Sequence, residues 1–264
     1  MSTYGDDCRL VVVYLHEKLL VRPNCAMTDS CRSTAYHTIR EAILEGKLHE
    51  GDRVSEYALA RQLGLSRAPI REAINQLVSQ GLLEQIAGSG TFVRQLDFHE
   101  LEEVYELREW LECGALTSSR FLLTDPDLAA IRATCDDVRK LIKETHQLNA
   151  DDQAETAAFV KRLYLADARF HLLILRGAQN ILALQTMQDR LILEQIWSSN
   201  RISLEVSSLE NLLKEHTAIY AQLEQRDYAA GAELLRTHIR SAIDRYREVH
   251  QREQQAEQLG RYFS

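Results

Sequence analysis

Leu63-Gly64-Leu65-Ser66-Arg67-Ala68-Pro69-Ile70-Arg71-Glu72-Ala73 is the stretch whose reading decides the fold. Upstream of it, Ser55 is a natural N-cap for a short helix carrying Leu59 and Leu63, and Gly64 supplies the stop. Ser66 then caps a second helix, which tolerates Pro69 because first-turn N–H groups have no intrahelical partner. That helix runs through Ile70, Ile74 and Leu77 to Gly81. Two short helices around so tight a turn form a helix-turn-helix. Downstream, Leu82–Ile86 and Thr91–Gln95 flank Gly88-Ser89-Gly90 as a hairpin, the wing of such a module. Before it, Ile39, Ile43 and Leu44 lie at helical spacing up to Gly46, followed by a turn at Gly51-Asp52.

Arg67 and Arg71 are four residues apart, so both project from one face near the start of the second helix. A recognition helix enters the major groove by that end, where arginine pairs with guanine or holds phosphate. The same two residues would also suit an ordinary solvated helix face. Charge separates this region from the rest of the chain. The net charge is −8, but residues 31–95 hold eight Lys/Arg against seven Asp/Glu, whereas residues 96–264 hold twenty against twenty-eight. A near-neutral module beside an acidic one implies two domains with different partners.

We expect three regions: 1–30 as an N-terminal extension, 31–96 as a winged helix-turn-helix, and 97–264 as a helical domain. Residues 1–30 carry no secretory pattern and suit an accessory helix or a disordered arm; Met27 is an alternative natural start. The five cysteines lack zinc-like spacing and are odd in number, which fits reduced thiols and a cytoplasmic protein. No apolar run reaches the length of a transmembrane helix, so no membrane partner is expected.

Three prolines and eleven glycines point to long helices. Beyond residue 97 the pattern predicts six, near 98–122, 125–147, 153–176, 180–202, 208–225 and 228–258. The fold class is therefore mostly α, a winged helix-turn-helix followed by an all-α antiparallel bundle of about six helices. Three of nine histidines fall on apolar faces: His171 one turn after Asp167, His216 among Leu209, Leu212, Leu213, Ile219 and Leu223, and His238 beside Leu234, Leu235, Ala242 and Ile243. Imidazoles and a carboxylate suit a divalent transition metal; three hydrogen-bonded core histidines would give the same spacing. Trp110 and Trp197 read as core or dimer-contact residues.

The quoted stretch, with Ile39-Arg40-Glu41-Ala42-Ile43-Leu44-Glu45-Gly46-Lys47-Leu48, Gly51, Leu77, Gly81-Leu82 and Gly90-Thr91-Phe92-Val93, resembles the GntR transcriptional regulators. Asp167-Ala168-Arg169-Phe170-His171, Glu215-His216 and His238 resemble the metal-binding signature of the FCD effector domain, the partner of this module in the FadR subfamily. The resemblance implies operator contacts by Arg67 and Arg71, a recognition helix starting at Ser66, and a wing tip at Gly88 to Gly90. Where some relatives carry a further DNA-contacting arginine, this chain has Tyr57; Arg53 or Arg61 is the substitute. It also implies Asp167, His171, His216 and His238 as ligands to a divalent transition metal (Zn, Ni or Mn), with open positions for the carboxylate of a small organic acid. Arg108 stands where the family often has an arginine facing the pocket, although Glu112 four residues on offers it an ordinary helix partner. Asn180, Arg190 and Arg201 are further effector-binding candidates, Asn180 also being placed to cap a helix.

The implied function is a ligand-responsive DNA-binding regulator, a repressor and a homodimer, with operator DNA and a small organic acid as partners. A metal-sensing regulator without organic effector is one alternative. A metal-dependent helical-bundle enzyme is another, opposed by the lack of paired Glu-x-x-His motifs and of a nucleophile or base spaced beside the histidines.

Overall fold

A computed structural model describes residues 28–44, 47–95, 97–149, 152–199 and 206–262. The expectations for residues 1–27, including Met27 as a start, lie outside that set, as does Arg201. Helix α1 (Thr28–Leu44) is followed by β1 (Arg53–Val54), α2 (Glu56–Leu63) and α3 (Arg67–Ser79). The hairpin of β2 (Leu83–Ile86) and β3 (Gly90–Val93) comes next. Ser55 caps α2 through Ala58 N at 3.3 Å, and Gly64 closes it at φ +64°, a left-handed conformation costly for any side chain with a Cβ. Ser66 occupies the N-cap position of α3, but its side chain makes no capping hydrogen bond, contrary to the sequence reading.

The three strands form one antiparallel sheet in the order β1-β3-β2, with Arg53 opposite Phe92 and Glu84 opposite Phe92 on the other side. Strand β1 was not anticipated; two residues are too few to show the alternation that marks a strand. The apolar faces of α1, α3 and the sheet meet in one core of Ile39, Ile70, Ile74, Leu77, Leu83 and Val93.

The rest is helical among the described residues. Helix α4 (Phe98–Arg108) continues through a π-helical turn (Glu109–Cys113) into a last turn (Gly114–Leu116). It therefore ends well before the expected residue 122. Then come α5 (Asp125–Glu144), α6 (Gln153–Arg176), α7 (Ile181–Ser199), α8 (Val206–Glu224) and α9 (Tyr228–Tyr262). Helix α5 packs on α6 and α8, α7 on α6 and α4, and α9 on α8, α4 and the π turn. No helix among the described residues is long and apolar enough to cross a membrane. Cys113 and Cys135 are free and buried. The module and the bundle share one continuous core. Gly81, at φ +78°, brings the end of α3 so close that a Cβ there would stand 3.1 Å from Arg94 and 4.0 Å from Leu193 of α7.

Candidate metal centre and nucleic-acid interface

Three helices converge on one buried point. Asp167 and His171, one turn apart on α6, meet His216 of α8 and His238 of α9, with donor atoms within 4.8 Å of one another. His171 Nε2 lies 3.2 Å and His216 Nε2 3.3 Å from His238 Nε2. Asp167 Oδ1 lies 3.3 Å from His216 Nε2 and 3.8 Å from His171 Nε2. Donors each about 2.0–2.2 Å from a shared cation would have this spacing.

The outer ring atoms determine which nitrogens face inward. His171 Nδ1 is 2.6 Å from Glu112 Oε2, and His238 Nδ1 is 2.6 Å from Glu215 Oε2. A carboxylate accepts there, so Nδ1 carries the proton and the Nε2 lone pair points to the centre. His216 stacks on Phe170 with centroids 3.8 Å apart, and its buried Nδ1 has no hydrogen-bond partner. Two lone pairs aimed at one another repel, and a cation between them removes the conflict. Burial pushes the His216 imidazole down to about 4 and also lowers His238, favouring the neutral rings that bind metals. Burial opposes the charged form of Asp167 too, but the surrounding imidazoles and Arg108 outweigh it and hold this carboxyl well below the ordinary range.

Behind the cluster lies a buried ion network. Arg108 Nε donates to Glu112 Oε1 at 3.1 Å, and its Nη1 donates to Glu194 Oε2 at 2.7 Å. The Tyr105 hydroxyl donates to Glu194 as well. Arg108, Glu112 and Glu194 are all within 2% of full burial. Burial acts against each charge; His171 and Arg108 prevail at Glu112 and lower its pKa, whereas burial prevails at Glu194 and raises it. Arg108 thus pairs with Glu112 as its spacing suggested, but in the interior and with a second carboxylate.

A cavity of about 370 Å³ opens onto the cluster, with Tyr105, Arg108, Tyr164, Asp167, Glu194 and His238 at its inner end. Arg245, Val249 and Arg252 of α9 line it further out. Neither arginine was singled out from sequence, although His238, Ala242, Arg245, Val249 and Arg252 fall on one helical face at steps of three and four. Asn180 is exposed and accepts a hydrogen bond from Ala183 N at 3.1 Å, the geometry of a helix cap. Arg190 is exposed and does not line the cavity. Trp110 is 64% exposed and therefore not a core residue.

In the N-terminal module, Arg67 and Arg71 extend from the first turns of α3 with side chains 62% and 58% exposed. Both reach Glu56 at the start of α2: Arg71 Nε and Nη2 donate to its two oxygens at 3.0 Å each, and Arg67 Nη2 donates at 3.4 Å. The Arg71 hydrogen bonds hold the Glu56 carboxyl below its ordinary range. Ser66, Arg53 and Arg61 are exposed. Gly88 and Gly90 form the hairpin tip at φ +76° and +125°, and a Cβ on Gly90 would stand 3.1 Å from the Arg53 Nε.

Residues 32–93 match the gntR family of bacterial regulatory proteins, and residues 103–241 match the FCD domain. The chain is 31% identical over 206 residues to the Nta operon transcriptional regulator of Aminobacter aminovorans, covering 75% of this chain and 86% of that protein. It is 27% identical over 221 residues to the transcriptional regulator LutR of Bacillus subtilis, covering 76% and 94%. The E. coli McbR/YncC structure superposes with a TM-score of 0.66 at 19% identity over 84% of this chain and 98% of that one, a likeness of fold.

Proposed function

Because this chain belongs to the GntR family and carries an FCD domain, making it a DNA-binding transcriptional regulator and not an enzyme, we propose that it is a homodimeric repressor whose operator affinity is set by a small organic acid bound beside a divalent transition metal. The observation that carries this reading is the convergence of three Nε2 atoms and one carboxylate oxygen at the inner end of a cavity bearing Arg245 and Arg252. When bound, the metal (Zn, Ni or Mn) supplies a Lewis-acidic anchor for a carboxylate. Asp167, His171, His216 and His238 hold it; Glu112 and Glu215 fix the rings.

Arg245 and Arg252 are the counter-charges for the acid. Arg245 is 46% and Arg252 78% exposed, and among the described residues their nearest carboxylates, Glu215 and Glu248, stand at 3.9 and 3.7 Å, beyond a direct hydrogen bond. Arg108, by contrast, already has two carboxylates. A cavity of about 370 Å³ also favours an organic effector over a signal carried by the ion alone. The test is a thermal-shift screen of small carboxylates on metal-loaded protein, followed by operator binding. A stabilising acid that changes operator affinity only when metal is present supports the reading. Full control by metal with no acid makes the protein a metal sensor.

Helix α9 provides the coupling. Its inner face carries His238, Arg245 and Arg252; from its outer face, Arg247 Nη2 donates to Glu102 Oε1 at 2.7 Å and His250 stacks on Phe98 at 4.6 Å. Phe98 and Glu102 begin α4, directly after the wing. An acid that binds one position of α9 more tightly biases the wing and recognition helix by about 1–3 kcal/mol. Arg247→Ala is expected to keep the acid-induced thermal shift but shrink the acid-induced change in operator affinity by about 0.5–2 kcal/mol. An undiminished change would remove α9 from the route.

The DNA end is tested separately. Two copies related by a two-fold axis present their α3 helices to half-sites of an operator with inverted symmetry. Arg67→Ala and Arg71→Ala are each expected to weaken operator binding by about 1–3 kcal/mol where the contact is to a base edge. Phosphate contacts alone would weaken binding to every sequence alike and flatten its salt dependence. Unchanged binding in both variants would remove these arginines from the interface.

A further inference from the structure

We propose that Glu56 is a positioning residue for DNA recognition: its carboxylate grips the side edge of the Arg71 guanidinium and leaves the end edge facing a guanine. The inference rests on Arg71 contacting a base edge. Guanidinium offers five N–H donors in a fixed fork. Glu56 takes the Nε donor and one Nη2 donor, at 3.0 Å each. What remains is the pair of parallel donors on Nη1 and Nη2, the pair that matches guanine O6 and N7.

The layering supports positioning over competition. The Glu56 side chain is 23% exposed, against 58% for Arg71 and 62% for Arg67. The Glu56 side chain is thus more covered than the two arginine side chains it holds. A carboxylate that merely imitated DNA phosphate would occupy the solvent side and would have to leave on binding. Glu56 is itself held, as the first residue of a helix whose cap, Ser55, bonds Ala58 N. An exposed arginine otherwise loses considerable rotamer freedom on docking, and a pre-oriented one loses less.

One negative charge among two positive ones also weakens the general attraction to phosphate, so specificity and non-specific affinity should part company when Glu56 is changed. The experiment uses the full chain and two duplexes, one selected by the wild type from a randomised library and one of scrambled sequence, measured at fixed salt. Glu56→Gln is expected to lower the selected-over-scrambled affinity ratio about tenfold while the scrambled duplex binds at least as tightly as to the wild type. In an Arg71→Ala background it should cause no further loss of the ratio. A general folding defect would weaken both duplexes together, and circular dichroism melting checks for it. Should Glu56→Gln fail to fold, Glu56→Asp, too short to span both nitrogens, is expected to act in the same direction. If Arg71→Ala loses the ratio and Glu56→Gln keeps it, or tightens both duplexes equally, Glu56 has no positioning role. If Arg71→Ala itself keeps the ratio, the base-contact premise has failed.

Discussion

Arg108→Ala is expected to lower the free energy of unfolding by about 3–5 kcal/mol, as much as truncating a large apolar side chain of the bundle core. The reason is what it leaves behind. Glu112 and Glu194 are both buried, and Arg108 is the cation between them at 3.1 and 2.7 Å. Glu112 keeps a partner in His171. Among the described residues Glu194 keeps only the Tyr105 hydroxyl, and its carboxyl, already raised by burial, becomes easier still to protonate. Removing one partner of a buried pair costs more than removing both, so Arg108→Ala with Glu194→Leu should recover part of the loss. Urea denaturation of the metal-free protein measures this directly. An effector-binding arginine would behave in the opposite way, with little change in the ligand-free protein and loss of the acid-induced shift. A denaturation midpoint within experimental error of the wild type would show that Arg108 is not the cation stabilising this network.

The N-terminal module was legible because its signals are local. Ser55, Gly64 and Pro69 mark helix ends within a few residues of the features they control, and α2 and α3 lie where those marks place them. The bundle helices were legible for the same reason, α6 being read to its residue limits. Spacing on α6, α8 and α9 also selected the four clustered residues, since inward-facing polar positions stand out on apolar stripes. Other features were hidden because they depend on distant partners. Glu194 meets Arg108 across 86 residues, and Glu215 acquires its role only because His238 folds against it. The π turn at Glu109–Cys113 was invisible because its composition is that of an ordinary helix. Its effect is to send neighbouring acids in different directions, Glu109 outward to Arg240 at 2.6 Å and Glu112 inward to His171. The second partner of Arg108 was hidden for a related reason: its identity suits an anion, but the pairing with Glu194 depends on α7 packing against α4.

Metal content should fall in a graded series that only a bound ion explains. His238→Ala removes the imidazole whose Nε2 stands within 3.3 Å of both its counterparts, and Asp167→Ala removes the sole carboxylate among the four donors. Either variant, purified alongside the wild type and analysed for elements, is expected to lose essentially all bound metal. Glu215→Gln should instead retain it with an affinity about 10–100-fold weaker, because an amide accepts the His238 Nδ1 proton less well and leaves the ring a poorer ligand. Three core histidines satisfied by hydrogen bonds would behave differently. His238→Ala would then cost only packing, elemental analysis would give nothing in wild type and variant alike, and added metal would not raise the melting temperature. Wild-type stabilisation should follow mass action, about 2.7 kcal/mol at a hundredfold excess of free metal over its dissociation constant. Equal metal content in wild type, His238→Ala and Asp167→Ala would mean that the ion sits elsewhere, and the carboxylate site built beside it would have no anchor.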